Sequence, residues 1–239
     1  MKINWFYFVI LFLLVNVFVV AQPVLRAPAR EKTFDAQHYI IRSGFDRKNK
    51  IYYGDTTVQV KPLKNGFDTL IIDAVGLKIQ SITLEPEGKN LQYQQVGESL
   101  QIPLEKSFSA NEIVSVRFKY SATPKKGIYF VDEVKPDGDF FKGSPSQVWT
   151  QGEAEESRHW FPSYDFPDDK ATTEQYLTVP KDETAISNGE LLEVIENTDG
   201  TKTFHYKMPV PHSIYLTSFI IGKYVKVEEK YKNIPLGYY

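Results

Sequence analysis

Side chains able to do chemistry are concentrated between Trp149 and Lys170, in the run WTQGEAEESRHWFPSYDFPDDK. Gln151, Glu153, Glu155, Glu156, Arg158, His159, Asp165, Asp168, Asp169 and Lys170 fall within it, with Trp160, Phe161, Tyr164 and Phe166 between them. Pro162 and Pro167 forbid a continuous helix or a central strand through its second half. Charge, rings and prolines packed together in this way describe an ordered loop with a task, or else a solvated acidic loop pinned by buried rings. Arg158 and Asp165 carry opposite charges beside apolar rings, which predicts a partly buried pair that structures the loop, because a buried charge needs a partner. Lys170 is expected to cap the same network. Glu155 and Glu156 read as solvated or structural, or as a source of negative potential, and His159 as a packed ring. Gly152 permits either a close backbone approach or a turn with positive φ. Trp149 and Tyr164 suit a cleft lining or the core.

Other chemistries lack their residues. With no cysteine there is no thiolate nucleophile and no disulfide. A nucleophile elbow of the G-x-S-x-G kind and a phosphate-cradling glycine loop are also absent. Four histidines are present, His38, His159, His205 and His212; none precedes a glutamate and no two are four apart.

The order Thr150-Gln151-Gly152-Glu153-Ala154-Glu155, Arg158, Phe161-Pro162, Asp165, Pro167, Lys170 resembles a hallmark of the aminopeptidase N family of zinc metallopeptidases, T-Q-x-E-A-x-x-x-R followed by a hydrophobic-Pro pair, D-x-P and Lys. In that family the pattern belongs to the β domain preceding the catalytic domain. Gly127-Ile128-Tyr129-Phe130 and the block Pro211 to Gly222, with Ser213 before Tyr215-Leu216, resemble two further family elements. The resemblance covers Thr33 to Tyr239. It implies that Gln151 and Glu153 reach into a catalytic cleft and bind the free α-ammonium of a peptide substrate. A carboxylate and an amide oxygen would satisfy two of that cation's three donors and neutralise its charge. It also implies that this chain holds no metal and no catalytic residue of its own. The family's zinc sits on an H-E-x-x-H helix, in a C-terminal catalytic domain expected beyond Tyr239. Neither that motif nor G-x-M-E-N occurs here. The expectation is therefore the substrate-anchoring half of a peptidase, inactive alone, in a partial or naturally truncated chain. A free-standing β-sandwich that binds peptide or carbohydrate through exposed aromatics is the alternative.

These residues must be carried by strands. The 239 residues are 42% hydrophobic and 24% charged, normal for a globular protein. A net charge of -2 without a basic run argues against a nucleic-acid partner. Met1 to Gln22 reads as a secretory signal peptide. Lys2 supplies the positive start, Trp5 to Ala21 the apolar run, and Val19-Val20-Ala21 the cleavage site. The run is at the short limit for crossing a bilayer, so the mature chain is expected to be exported with no stable span; an uncleaved anchor is the competing reading. Residues 23–32 form a linker or strand lead-in.

From Thr33 on, short apolar or alternating runs recur between turn signals. Val114, Val116, Phe118 and Tyr120 alternate with Ser115, Arg117 and Lys119, the pattern of a half-buried strand. Thr198-Asp199-Gly200 and Gly97-Glu98-Ser99 mark hairpins. Ile220 to Val227 is predicted as one strand, and a short helix could fall within Gly152 to Arg158. The fold class predicted is all-β, a large sandwich of about a dozen strands, which the resemblance makes saddle-shaped.

Overall fold

The computed structural model describes residues 31–137 and 143–239. The proposed signal peptide and most of the linker lie outside them. Among the described residues the only helices are single 3-10 turns at Ser157–His159 and Ile214–Leu216, so the protein is all-β, as the sequence predicts.

The larger layer is an eight-stranded sheet of β1 (Phe34–Asp46), β2 (Ile51–Pro62), β4 (Leu77–Glu85), β5 (Lys89–Asn90), β8 (Val114–Ala122), β11 (Ala171–Pro180), β13 (Glu190–Glu196) and β14 (Thr201–His212). Its order is β13-β14-β11-β1-β2-β8-β4-β5. A three-stranded sheet holds β3 (Phe67–Asp73), β6 (Gln94–Val96) and β7 (Ser99–Phe108). A four-stranded sheet, in the order β12-β15-β10-β9, holds β9 (Ile128–Val131), β10 (Gln147–Thr150), β12 (Thr184–Ser187) and β15 (Phe219–Gly222). The hairpin of β16 (Val227–Tyr231) and β17 (Ile234–Tyr238) completes the seventeen strands among the described residues.

The count exceeds the predicted dozen because β5, β6, β9, β10 and β12 are two to four residues long, too short for alternation to register. The single strand expected from Ile220 to Val227 is instead two, β15 and β16, in different sheets. Both predicted hairpins form, β6-β7 around Gly97 and β13-β14 around Gly200, each glycine with positive φ. β1 and β11 pair in parallel, which no local signal announces. The connection between them runs through most of the chain and delivers the Trp149–Lys170 stretch directly into β11.

One face of the eight-stranded sheet is apolar and covered. Phe34, Ala36, Tyr39 and Ile41 of β1 are buried. Phe34 meets Phe67 of β3, while Phe45 meets Phe219 of β15. Between these small-sheet contacts lie the rings of the organising loop: Tyr164 against Phe34, Phe161 against Tyr39, and Trp160 against both Tyr52 and Phe219. Edge-to-face pairs of this kind add about 0.5–1.5 kcal/mol each beyond the area they bury.

The opposite face of the same sheet is polar and internally paired. Asp55 binds Arg117 at 2.6 Å and lies 3.9 Å from Arg42; Arg42 sits over Tyr176, which stacks on His205. His205 lies 3.3 Å from both Glu174 and Glu193. Half-solvated antiparallel sheets alternate apolar-in and polar-out in this manner.

Candidate functional site

The Trp149–Lys170 stretch divides into a buried limb and an exposed one. In the buried limb Trp160 and Phe161 are fully buried and Tyr164 is 2% exposed. Of the two settings sequence left open for Tyr164, the core is the one it occupies. Arg158 and Asp165 are brought together: Asp165 Oδ2 accepts from Arg158 Nε at 3.1 Å and from the Arg158 backbone N–H at 3.0 Å, and Arg158 Nη2 donates to the Asp165 carbonyl at 3.0 Å. Burial pushes the Asp165 carboxyl up from the usual carboxylate range, and the Arg158 hydrogen bonds and charge oppose that shift. The Arg158 guanidinium also reaches Glu98 and Glu155, both at 2.7 Å.

A second carboxylate, which sequence reasoning missed, extends this network. Asp73, at the end of β3, accepts from the Asp165 N–H at 3.0 Å and from Ser99 Oγ at 2.9 Å. Its own backbone pairs with Ser163 in both directions, at 2.9 and 3.0 Å. Lys170 is not where the loop is fastened. Its side chain is exposed and joins none of the ion pairs among the described residues, and only its N–H takes part, donating to Asp169 Oδ1 at 2.8 Å. Buried Asp169 makes the tie, since its Oδ2 accepts from the Ala36 N–H of β1 at 3.0 Å.

The exposed limb, Gln151 to Glu156, is seated by its backbone. Thr150 Oγ1 accepts from the Phe219 N–H at 2.9 Å, and the Gln151 N–H donates to the Gly127 carbonyl at 3.0 Å. Gly127 has φ +77°, and a Cβ there would lie 2.5 Å from the Glu156 carbonyl, so the glycine is required from below. Gly152 is buried without a positive φ; its Cβ would lie 2.3 Å from the Tyr215 carbonyl. Close backbone approach is thus the reason for that glycine. The Glu156 N–H closes the limb onto the Gly152 carbonyl at 2.9 Å, and Ser157 Oγ donates to the Ile214 carbonyl at 3.4 Å. The peptide between Glu153 and Ala154 is cis. All three stretches singled out in the sequence, at Gly127, Gln151 and Ser213, therefore meet in space.

Above this seat the side chains of Gln151 and Glu153 project into solvent. Among the described residues neither makes a hydrogen bond or ion pair. Their acidic neighbours are engaged: Glu155 with Arg158, and Glu156 with Lys126 at 3.2 Å and with the Tyr129 hydroxyl at 3.4 Å. His159 is half-buried, and burial lowers its pKa. Trp149 lies at the surface, 36% exposed, and stacks on Tyr129 with ring centroids 4.6 Å apart. The site therefore offers one free carboxylate and one free amide on a rigid base, which suits a cationic donor group. It does not suit a metal: no group of three or more His, Asp or Glu among the described residues could hold one.

The Peptidase M1 N-terminal domain family matches residues 35–216, more than half of the chain, and the protein belongs to that family. The chain is 26% identical over 194 residues to aminopeptidase N of Lactobacillus helveticus, covering 80% of this chain and 21% of the relative. Aminopeptidase N of Acetobacter pasteurianus is 25% identical over 211 residues, covering 87% and 58%. Transcription initiation factor TFIID subunit 2 of Drosophila melanogaster is 32% identical over 144 residues, 60% of this chain and 11% of that protein. Among solved structures, the M1 zinc metallopeptidase of Deinococcus radiodurans superposes with a TM-score of 0.69 at 20% identity, covering 84% of this chain and 44% of that one. A structure titled as a two-domain M1 zinc metallopeptidase bound to L-arginine superposes at 0.70 and 19%, covering 87% and 47%. The chain thus spans about a fifth of the Lactobacillus relative and under half of the two peptidase structures.

Proposed function

We propose that this chain is the substrate-anchoring N-terminal domain of an exported zinc metalloaminopeptidase, and that Gln151 and Glu153 bind the α-ammonium of a peptide. The observation that carries the reading is the selective freedom of these two side chains on a loop whose other acidic groups between Thr150 and Phe166 are engaged. A carboxylate left unpaired on a fixed backbone is preorganised for a cation and needs no rearrangement to receive it. An α-ammonium offers three donors and one charge. Glu153 would neutralise the charge and the Gln151 amide oxygen would accept a second hydrogen bond.

Bond cleavage is assigned elsewhere. The family's zinc would sit in a catalytic domain C-terminal to this one, and no group of side chains among the described residues fits a metal. The role of Gln151 and Glu153 is to fix the peptide terminus at a set distance from the scissile bond. In the two-domain enzyme, Glu153→Ala removes a charge-assisted contact with a desolvated ammonium, a loss of about 2–5 kcal/mol. The expected fall in kcat/KM on an aminoacyl arylamide is on the order of 30-fold or more. Gln151→Ala should cost less, and unchanged kcat/KM in both variants would remove the anchor. Export is tested by N-terminal sequencing of protein from the periplasm or medium, expected to begin at or near Gln22.

The relation to TFIID subunit 2 favours a second reading, in which the domain serves as a non-catalytic binding module. A complete reading frame without an H-E-x-x-H after Tyr239 would select it.

A further inference from the structure

On the outer face of the eight-stranded sheet, where charges otherwise meet their partners, one guanidinium is left over. Arg42 of β1 pairs in register with Asp55 of β2, yet its Nη1 stays 3.9 Å from Asp55 Oδ1. Both Asp55 oxygens are already taken by Arg117, whose Nε and Nη2 donate at 2.7 and 2.6 Å. A guanidinium carries five N–H donors, and among the described residues Arg42 uses none of them in a hydrogen bond. It is held in place all the same. Its Cζ sits 5.3 Å from the centre of the Tyr176 ring, which stacks on His205. The Arg42 side chain remains 41% exposed.

Arg42 borders a depression of about 440 Å³. Gly44, inside the 13-residue strand β1, lines it without a side chain. Neither conformation nor crowding calls for a glycine there. Its φ is outside the left-handed region, the register shift of β1 against β2 falls elsewhere, between Ala36 and His38, and an added Cβ would meet only Tyr53 Cβ, at 3.8 Å. A strand glycine without such a cause marks a place where something else approaches the backbone. Around it stand the Tyr53 ring, 46% exposed, and Lys119, which is exposed and joins no ion pair among the described residues. Two cations, Arg42 and Lys119, thus face one carboxylate, Asp55, that a third cation already satisfies.

We propose that this depression is a binding site for a small organic carboxylate that carries a ring. The planar fork of Arg42 matches a carboxylate in a bidentate pair, and the Lys119 ammonium adds to the attraction. The exposed Tyr53 ring gives the ligand's ring a surface to stack on. Asp55 at the edge of the site makes a dianion such as inorganic phosphate the poorer ligand, since like charges repel at this range. Arg42 is fixed over Tyr176 before any ligand arrives, so binding requires little further ordering. The site uses no residue of the Gln151–Glu153 limb, and its ligand is an anion where that limb suits a cation.

N-acetyl-L-tyrosine is the probe, because it has the carboxylate and the ring while its blocked amine gives the ammonium site nothing to hold. Titrated into the nitrogen-labelled chain and followed by NMR, it should bind saturably at about 1 mM or below. The amides of Gly44 and Tyr53 should shift, and those of Gln151 and Glu153 should stay in place. N-acetyl-L-tyrosinamide, which lacks the charge, should bind about 10-fold more weakly or worse, and Arg42→Gln should weaken the acid to the same degree. Arg42→Lys should fall between, keeping the charge and losing the fork. Gly44→Val fills the depression with a residue suited to a strand and should give the same loss without lowering Tm; Gly44→Ala, whose Cβ has room, should give a smaller loss of the same sign. No saturation by about 10 mM, equal affinity for acid and amide, or full binding by Arg42→Gln or by both Gly44 variants would overturn the proposal. So would inorganic phosphate binding as tightly as the acid, or loss of binding in Glu153→Ala.

Discussion

Residues 151–156 and residues 157–169 are consecutive, acidic and held by the same core, yet Glu153 in the first and Asp165 and Asp169 in the second have opposite fates. In the second segment Arg158, Asp165 and Asp169 are buried and bonded to backbone or to each other, and their charge is spent on fixing the chain. In the first, the backbone does the fixing through Thr150, Gly127 and Gly152, and the Gln151 and Glu153 side chains are left over. Composition does not separate a structural carboxylate from a binding one. What separates them is whether the neighbouring backbone already has its partners.

Breaking the buried limb should have the largest effect. Asp165→Ala leaves the Arg158 guanidinium buried without its inner partner, and Arg158→Ala leaves the carboxylate. Loss of one member of a buried pair costs about 3–5 kcal/mol, to be read in urea or thermal unfolding of the chain. A loss below about 1 kcal/mol would show that the pair does not hold the loop. Gly152→Ala should come next. Its new methyl would meet the Tyr215 carbonyl at 2.3 Å, and displacing packed backbone typically costs about 1–3 kcal/mol. In the proposed two-domain enzyme it should also lower kcat/KM, because the limb it tilts carries Glu153. Glu155→Ala breaks only a partly exposed contact with Arg158, and about 0–1 kcal/mol is expected. Glu153→Ala should leave stability within about 0.5 kcal/mol of the parent, since the side chain makes no contact to lose. A clear destabilisation by this last variant would erase the contrast between the limbs.

Much of this was readable in the sequence, and the gaps have physical causes. The Arg158–Asp165 pair could be inferred because opposite charges flank rings that must be buried. The hairpins at Gly97 and Gly200 were marked by their turn residues. Asp73 could not be foreseen as part of the site: it lies 92 residues from Asp165, at the end of an apolar run, and only the packing of β3 against the loop joins them. Lys170 is expected from the sequence to cap the network, and nothing local singles out Asp169. The chain instead needed an acceptor for the Ala36 N–H, a demand set by the parallel pairing of β1 and β11. The split between β15 and β16 was hidden because the residues on either side of it are equally strand-like.

The central proposal is that the exposed limb recognises an ammonium, and it is tested by comparing free and N-acetylated versions of one peptide in the proposed two-domain enzyme. Acetylation removes the cation and leaves the rest of the substrate unchanged. The account predicts that Glu153→Ala lowers kcat/KM on the free peptide by on the order of 30-fold or more, that Glu153→Gln falls between it and the parent, and that the acetylated peptide, a poor substrate throughout, is indifferent to both changes. Equal slowing of the two peptides, or slowing of neither, would contradict it and reduce the limb to a structural loop.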